Sequence, residues 1–367
     1  MNSRERLLGC IRHQPIDRVP IMNYDIPWFH ENCWENKQPS YKKYMSVLME
    51  NTDCTCRGLP RYIRKAFEGE ELINEDNGKS HYTKLIYHLK DKDLTQIHRR
   101  DDGINTTWTI KHLLDDVSDI DRYLAIPYEP PEIDMSDFYK TQERMGDNGL
   151  MVLNIADPIC LGASLFEMGN FLTLAMTETN KIKYFLDALH ERQMRELKIL
   201  LGNEVKDVIV VVNGPEYATP PYLSPDFFYE FVTCYLIEIC REIKSAGAIP
   251  LIHCHGKIGR IIDQFAMTEG EMLDPIEPPP DGDIELADVK KRYGNKFCLV
   301  GNIELKEIDT ADRDRIDYLV KKAMEDAKEG SGFMLMPTAT PLNEPIDKKT
   351  EENYIQMVES GIKYGKY

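Results

Sequence analysis

Positive charge is scarce in this chain. Lys and Arg number 45 against 62 Asp plus Glu, a formal net charge of −17, and no stripe of Lys and Arg interrupts the acidity. Phosphate backbones would be repelled, so no nucleic-acid partner is expected. Long apolar runs are lacking too. No stretch reaches the roughly 18 apolar residues that a membrane span requires, so no membrane insertion is expected. The opening MNSRERLLGCIRHQ is charged where a signal peptide needs an apolar core. A cytoplasmic location is the expectation. Paired cysteine patterns are missing as well: nine cysteines are scattered along the sequence, an odd number. Reduced thiols are the simplest reading. The C-x-C of Cys54 and Cys56 has no second half to complete a zinc pattern. No Gly-rich phosphate fingerprint follows any strand-like run, which argues against a dinucleotide-binding fold.

What is present suffices for a large core. Hydrophobic residues make up 42 % of the 367, a length that fits one large domain or a barrel with an added segment. Asn2 to His13 reads as a short helix with Ser3 as N-cap and Leu7, Leu8 and Ile11 on one face. Val19 to Asp25 reads as a strand. Tyr82–Leu89, Leu94–Arg99 and Thr106–Ile110 read as extended runs around the turn-forming 101–105. This part, to about Pro131, looks α+β.

From residue 148 the texture is a regular alternation. Strand-like runs occur at Leu150–Ile155, Val208–Val212, Ala248–His253, Met272–Ile276, Phe297–Asn302 and Gly332–Pro337. Amphipathic helices separate them, among them Lys181–Leu201 and Asp312–Lys328. Runs that are apolar on both faces suit a parallel sheet. The expectation is an α/β chain forming a (β/α)8 TIM barrel. Residues 1–367 make a single domain, with residues 30–130 carrying an N-terminal α+β elaboration.

Barrels of this kind place their sites at the C-terminal ends of the strands. The polar groups there are Tyr24 and Asp25; Asn154 and Asp157; Asn213, Glu216 and Tyr217; His253, Cys254 and His255; Asp274 and Glu277; Asn302 and Glu304; Thr338 and Thr340. The most informative stretch is Ile252-His-Cys-His-Gly256. Alternation along a strand sends His253 and His255 to one face and Cys254 to the other. Two imidazoles at one strand end can chelate a metal, or can act as an acid or base. Glu216, in the rigid loop after the preceding strand, is the candidate third ligand. Glu277, in the proline-bound loop after the next one, is its rival. Gly301 permits close backbone approach beside Asn302.

These landmarks resemble the uroporphyrinogen decarboxylase superfamily over nearly the whole chain. The resemblance rests on Arg4-Glu-Arg-Leu-Leu8, Pro15-Ile-Asp-Arg-Val-Pro-Ile21, Tyr222-Leu-Ser-Pro-Asp-Phe-Phe228, the histidine strand, Gly301-Asn-Ile303 and the closing Thr350–Tyr364 helix. It implies a (β/α)8 barrel and one of two activities: porphyrinogen decarboxylation without a cofactor, or methyl transfer involving a corrinoid on a partner protein, usually with zinc. The decarboxylases carry R-Q-A-G-R-Y after the first strand. Here Tyr24-Asp-Ile-Pro-Trp-Phe-His-Glu31 has no arginine, which disfavours a substrate with many carboxylates. The zinc methyltransferases show H-x-C-G and a later cysteine, where this chain has His253, His255 and Ala339. Both thiolates are replaced.

Zinc held by two imidazoles and a carboxylate keeps more positive charge than zinc held by thiolates, and so acts as a Lewis acid. The resulting expectation is a corrinoid-dependent methyltransferase, the demethylase component. It would move a methyl group from a small methylated ether or amine to a corrinoid on a partner protein. Metal ligands would be His253, His255 and Glu216. Glu216, Glu277 and Asn302 would be catalytic, and Tyr24, Asp25, Trp28, Asn213 and Tyr217 would bind substrate. The alternatives are a decarboxylase or carbon–carbon lyase of the same superfamily, and a non-catalytic corrinoid- or tetrapyrrole-binding protein.

Overall fold

The computed structural model describes residues 1–24 and 26–367. Thirteen strands are formed among them. In chain order they are β1 (Cys54–Arg57), β2 (Arg61–Ile63), β3 (Glu70–Asp76), β4 (Ser80–Tyr87), β5 (Leu94–Asp101), β6 (Trp108–Lys111) and β7 (Glu132–Asp134). There follow β8 (Gly149–Ala156), β9 (Ile209–Asn213), β10 (Ile249–His253), β11 (Met272–Asp274), β12 (Cys298–Ile303) and β13 (Phe333–Pro337). Seven of them make one parallel sheet in the order β1-β8-β9-β10-β11-β12-β13. From β8 onward the spatial order follows the chain order, with helices in between, as parallel connections require.

The two edges of this curled sheet are bridged by the segment expected to be a strand at Val19–Asp25. Among its described residues, Ile21 forms an isolated parallel bridge to Leu335. Leu335 N donates to Pro20 O, and Met22 N donates to Leu335 O. On the other side Asp53 N donates to Ile21 O at 2.7 Å. Pro20 has no N–H to offer, which limits how far regular pairing extends here. The result is a TIM-like barrel.

Its interior is filled by alternate side chains of the strands, including Leu150, Val152, Ile209, Leu251, Met272, Val300 and Met336. Leu7, Cys10 and Ile11 of the helix Ser3–Ile11 belong to the same inner cluster and close its lower end. That helix starts one residue earlier than expected. Asn2 rather than Ser3 is the N-cap, because its side chain accepts from Glu5 N while the Glu5 carboxylate accepts from Asn2 N. A second, larger apolar layer lies between the sheet and the helices.

Residues 70–111 form a separate antiparallel sheet, β3-β4-β5-β6. β3, Glu-Glu-Leu-Ile-Asn-Glu-Asp, is mostly exposed and had no apolar alternation to mark it. The turn after β5 pairs with the loop following β13, through the bridge Ile104–Asn343 and the hydrogen bond from Glu344 N to Gly103 O. Among the described residues no helix is long and apolar enough to cross a membrane.

Candidate active site at the barrel mouth

With the lower end plugged, the open end lies above the strand C-termini. A cavity of about 100 Å³ sits there, walled by Tyr24, Arg57, Asn154, Asn213, His253 and Asp274 over a floor that includes Met22, Val211 and Met336. These positions share one parity on their strands, so each faces inward. Asn213 and Asp274 are the register partners of His253 on the two neighbouring strands. Asn213 Nδ2 donates to Asn154 Oδ1 and to Ile155 O, both at 3.1 Å, tying the tops of β8 and β9 together.

The histidines form two imidazole–carboxylate pairs. His253, nearly buried, places Nδ1 2.7 Å from Asp274 Oδ2. His255, half-buried, places Nδ1 2.8 Å from Glu277 Oε1. The two rings lie edge to face with centroids 4.7 Å apart, and the Tyr24 ring stands edge-on to His253 at 6.3 Å. Gly256, at φ +90, turns the chain so that its N–H donates to Glu277 Oε2 at 2.6 Å. Gly282 lets the proline loop fold back, since a Cβ there would lie 1.8 Å from Glu277 O. Burial pushes the Glu277 carboxyl up, but the His255 hydrogen bond, the imidazole charge and the Gly256 N–H outweigh it, and the net direction is down. Cys254 packs in the layer between sheet and helices. Burial there pushes its thiol well up, with the charges of Glu216 and Asp157 adding to the effect.

Among the described residues, no imidazole pairs with Asp157, Glu216 or Glu304. Glu216 Oε2 accepts from Gly214 N at 3.2 Å, beside Asp157. Asp157 caps the helix Pro158–Ala163 through Cys160 N, and its Oδ2 is buried with no partner among the described residues. Burial, then the charge of Glu216, pushes Asp157 well above the usual range. Glu304, 8 % exposed, has an unpartnered Oε1. Burial and the neighbouring Glu277 and Glu307 charges raise it to about 7.

The structure thus brings Tyr24, Asn213, His253 and His255 together at the mouth, with Glu277 behind His255. Glu216 is bonded to its own loop rather than to either imidazole. Tyr217 is half-buried against the outer layer. Trp28 is buried in that same layer and does not line the cavity. Asn302 lines a separate cavity with Glu304 and the three prolines 278–280. Asp25 lies outside the described residues. Sequence reasoning missed Arg57, which follows a strand of only four residues, and gave no role to Asp274 or Glu304.

A metal would find two donors here. Each Nδ1 meets a carboxylate, so a metal would be bound through Nε2, as metal-bound histidines commonly do. Among the described residues no group of three His, Cys, Asp or Glu side chains is disposed to hold a metal ion. The imidazole pair therefore fits two positions of a ligand set, and the described residues do not complete it as they stand.

The chain has relatives of known type. No curated protein matches it by sequence. Among solved structures, a methyltransferase from Methanosarcina mazei aligns with a TM-score of 0.63 at 15 % identity, covering 99 % of both chains. At that identity it speaks for the fold alone. A GH5-4 broad specificity endoglucanase from Clostridium acetobutylicum aligns at a TM-score of 0.37 and 12 % identity, over 67 % of this chain and 88 % of the other, too loosely to bear on either fold or function. Residues 135–348, more than half of the sequence, match the family described as Uroporphyrinogen decarboxylase (URO-D). With the parallel barrel-like sheet and the polar strand ends in place, the chain belongs to the uroporphyrinogen decarboxylase family.

Proposed function

We propose that this protein is a corrinoid-dependent methyltransferase on a (β/α)8 barrel. It would move a methyl group from a small methylated ether or amine to a corrinoid carried by a partner protein. The observation that carries the reading is the pair of imidazoles at the mouth, each with Nδ1 tied to its own carboxylate. Such ties hold a ring's orientation and raise the basicity of Nε2. His253 and His255 would hold a divalent metal, most simply zinc, through these nitrogens. Glu216 would complete the set by leaving Gly214 N. A bound metal would supply Lewis acidity at the oxygen or nitrogen that loses its methyl group.

The remaining work falls to the chain. Transfer would break the bond between carbon and the heteroatom, which would keep that electron pair and take up a proton from solvent, while the partner's Co(I) corrinoid would supply the pair for the new bond to the methyl group. Asp274 and Glu277 keep the imidazoles from turning. Tyr24 and Asn213 border the space where the donor would sit, and Asn302 would act from the neighbouring cavity. Trp28 lies in the core, away from that space.

The second reading, a decarboxylase or carbon–carbon lyase, is favoured by one observation. Arg57 puts a guanidinium in the cavity wall, and a carboxylate substrate would seek one. Metal content of freshly purified protein, together with methyl transfer to a Co(I) corrinoid protein, separates the two. Zinc near one per chain with transfer supports the first reading. Absence of both, with carbon dioxide released from a carboxylate substrate, supports the second.

A further inference from the structure

Beside the mouth lies a larger cavity, of about 370 Å³, bounded by Asn154–Ala156 at the top of β8 and by the helix Thr179–Leu201. Asn154 lines both spaces. The volume falls in the range of small-molecule sites. Its walls differ in kind from those of the mouth. Tyr62, Tyr123 and Tyr128 contribute rings, while Arg64 and Arg192 contribute guanidinium groups.

The charges do not cancel. Among the described lining residues Glu196 is the one carboxylate, and it is already engaged. Arg64 Nη2 lies 3.4 Å from both of its oxygens, and Tyr128 donates its hydroxyl to Oε1 at 3.1 Å. Arg192 stacks 4.9 Å from the Tyr128 ring centroid and 5.7 Å from that of Tyr123, and Nη2 donates to Leu124 O at 3.1 Å. No carboxylate lies within ion-pair distance of Arg192 among the described residues. A chain with a net charge of −17 thus keeps a cation without a counter-charge, held planar between two rings, on the wall of a cavity. At this range the local guanidinium outweighs the screened charge of the distant surface.

We infer that this side cavity binds a small aromatic carboxylate. Its ring packs among the tyrosines, and its carboxylate pairs with Arg192. A guanidinium favours the flat, two-oxygen geometry of a carboxylate. Ring-to-ring packing favours an aromatic over a saturated ligand. The inference concerns the side cavity alone, and stands whether or not the mouth transfers methyl groups.

The test is calorimetric titration of the purified full chain with benzoate, cyclohexanecarboxylate and inorganic phosphate. One benzoate per chain is expected, bound about five times more tightly than cyclohexanecarboxylate, with no heat from phosphate. Arg192→Met should weaken benzoate about tenfold or more. Since Arg192 also braces Leu124, Ser164→Phe serves as a second variant. It adds bulk at an exposed wall position without removing a packed group, and should abolish binding while the thermal midpoint holds. Arg57→Met, at the mouth, should leave benzoate binding unchanged. Binding lost in Arg57→Met but kept in Arg192→Met and Ser164→Phe would put the ligand in the mouth and overturn the inference. Equal affinity for all three anions would overturn it too, as would no binding at all.

Discussion

Two sets of acids at the barrel mouth share residue types and a burial level, yet differ in what they face. Asp274 and Glu277 face imidazoles. Among the described residues, Asp157 and Glu304 face only backbone or other acids; each has an oxygen buried without a partner, as Asp274 has at Oδ1 while its Oδ2 meets His253. Glu277 is drawn down and Glu304 raised to about 7, although the two are close enough for one charge to act on the other. Desolvation is common to both. A partner within hydrogen-bond reach decides the sign. Asp274 and Glu277 orient histidines, whereas Asp157 and Glu304 are pushed toward the neutral form. If the imidazoles hold a metal as proposed, such carboxyls would stand beside it.

The comparison breaks most visibly if the imidazole side is removed. His253→Ala and His255→Ala should each strip the metal and reduce methyl transfer by more than about a hundredfold, because one of few ligands is lost. Metal analysis showing wild-type content in both variants would remove the imidazole pair as the site.

The unpartnered side is tested by stability. Unfolded, Glu304 releases its proton near the ordinary glutamate value of 4.5, and folded it holds on to about 7. Between those values the unfolded state binds fewer protons, so wild-type stability falls as pH rises, and the loss is complete above about 7. Glu304→Gln should therefore change little at pH 4 and gain up to roughly 3 kcal/mol at pH 8. Urea midpoints across this range are the measurement. A gain equal at both pH values would mean that the proton is not the cause.

Next in size are the positioning carboxylates. Asp274→Asn and Glu277→Gln should each lower metal affinity about 10- to 100-fold while retaining two imidazoles. Glu216→Gln sharpens this contrast. A drop matching that of a lost ligand would establish Glu216 as the third donor. An unchanged metal content, with Glu277→Gln impaired, would leave that role to the proline loop. The smallest effect belongs to Cys254→Ser. The thiol lies in the outer layer, so metal content should hold, while a buried hydroxyl costs about 1–3 kcal/mol of stability. A loss of metal here would refute the facing of this strand.

Much of this arrangement was legible in the residues. The alternating apolar runs foretold the parallel sheet, and His253-Cys-His255 foretold two inward imidazoles and one outward thiol. Other parts were not. β1 is only four residues long, and its Cys-Thr-Cys drew attention to metal spacing instead of to Arg57 just beyond. Val19–Asp25 has the composition of a strand, but its pairing depends on edges brought together only when the sheet curls. β11 stops at Asp274, because Pro275 offers no N–H to continue the ladder.

The split has a physical basis. Which side chains of one strand share a face follows from a backbone repeat of two, so the sequence determined it without further help. Which carboxylate meets which imidazole follows from the register between neighbouring strands and from the path of the loops above them. His253 opposite Asp274, and Glu277 folded back under Gly256, are joined across 21 residues of chain each. No local pattern encodes that distance. Only the closed packing of the barrel determined that Asp274 and Glu277 would meet imidazoles, while Asp157 and Glu304 would not.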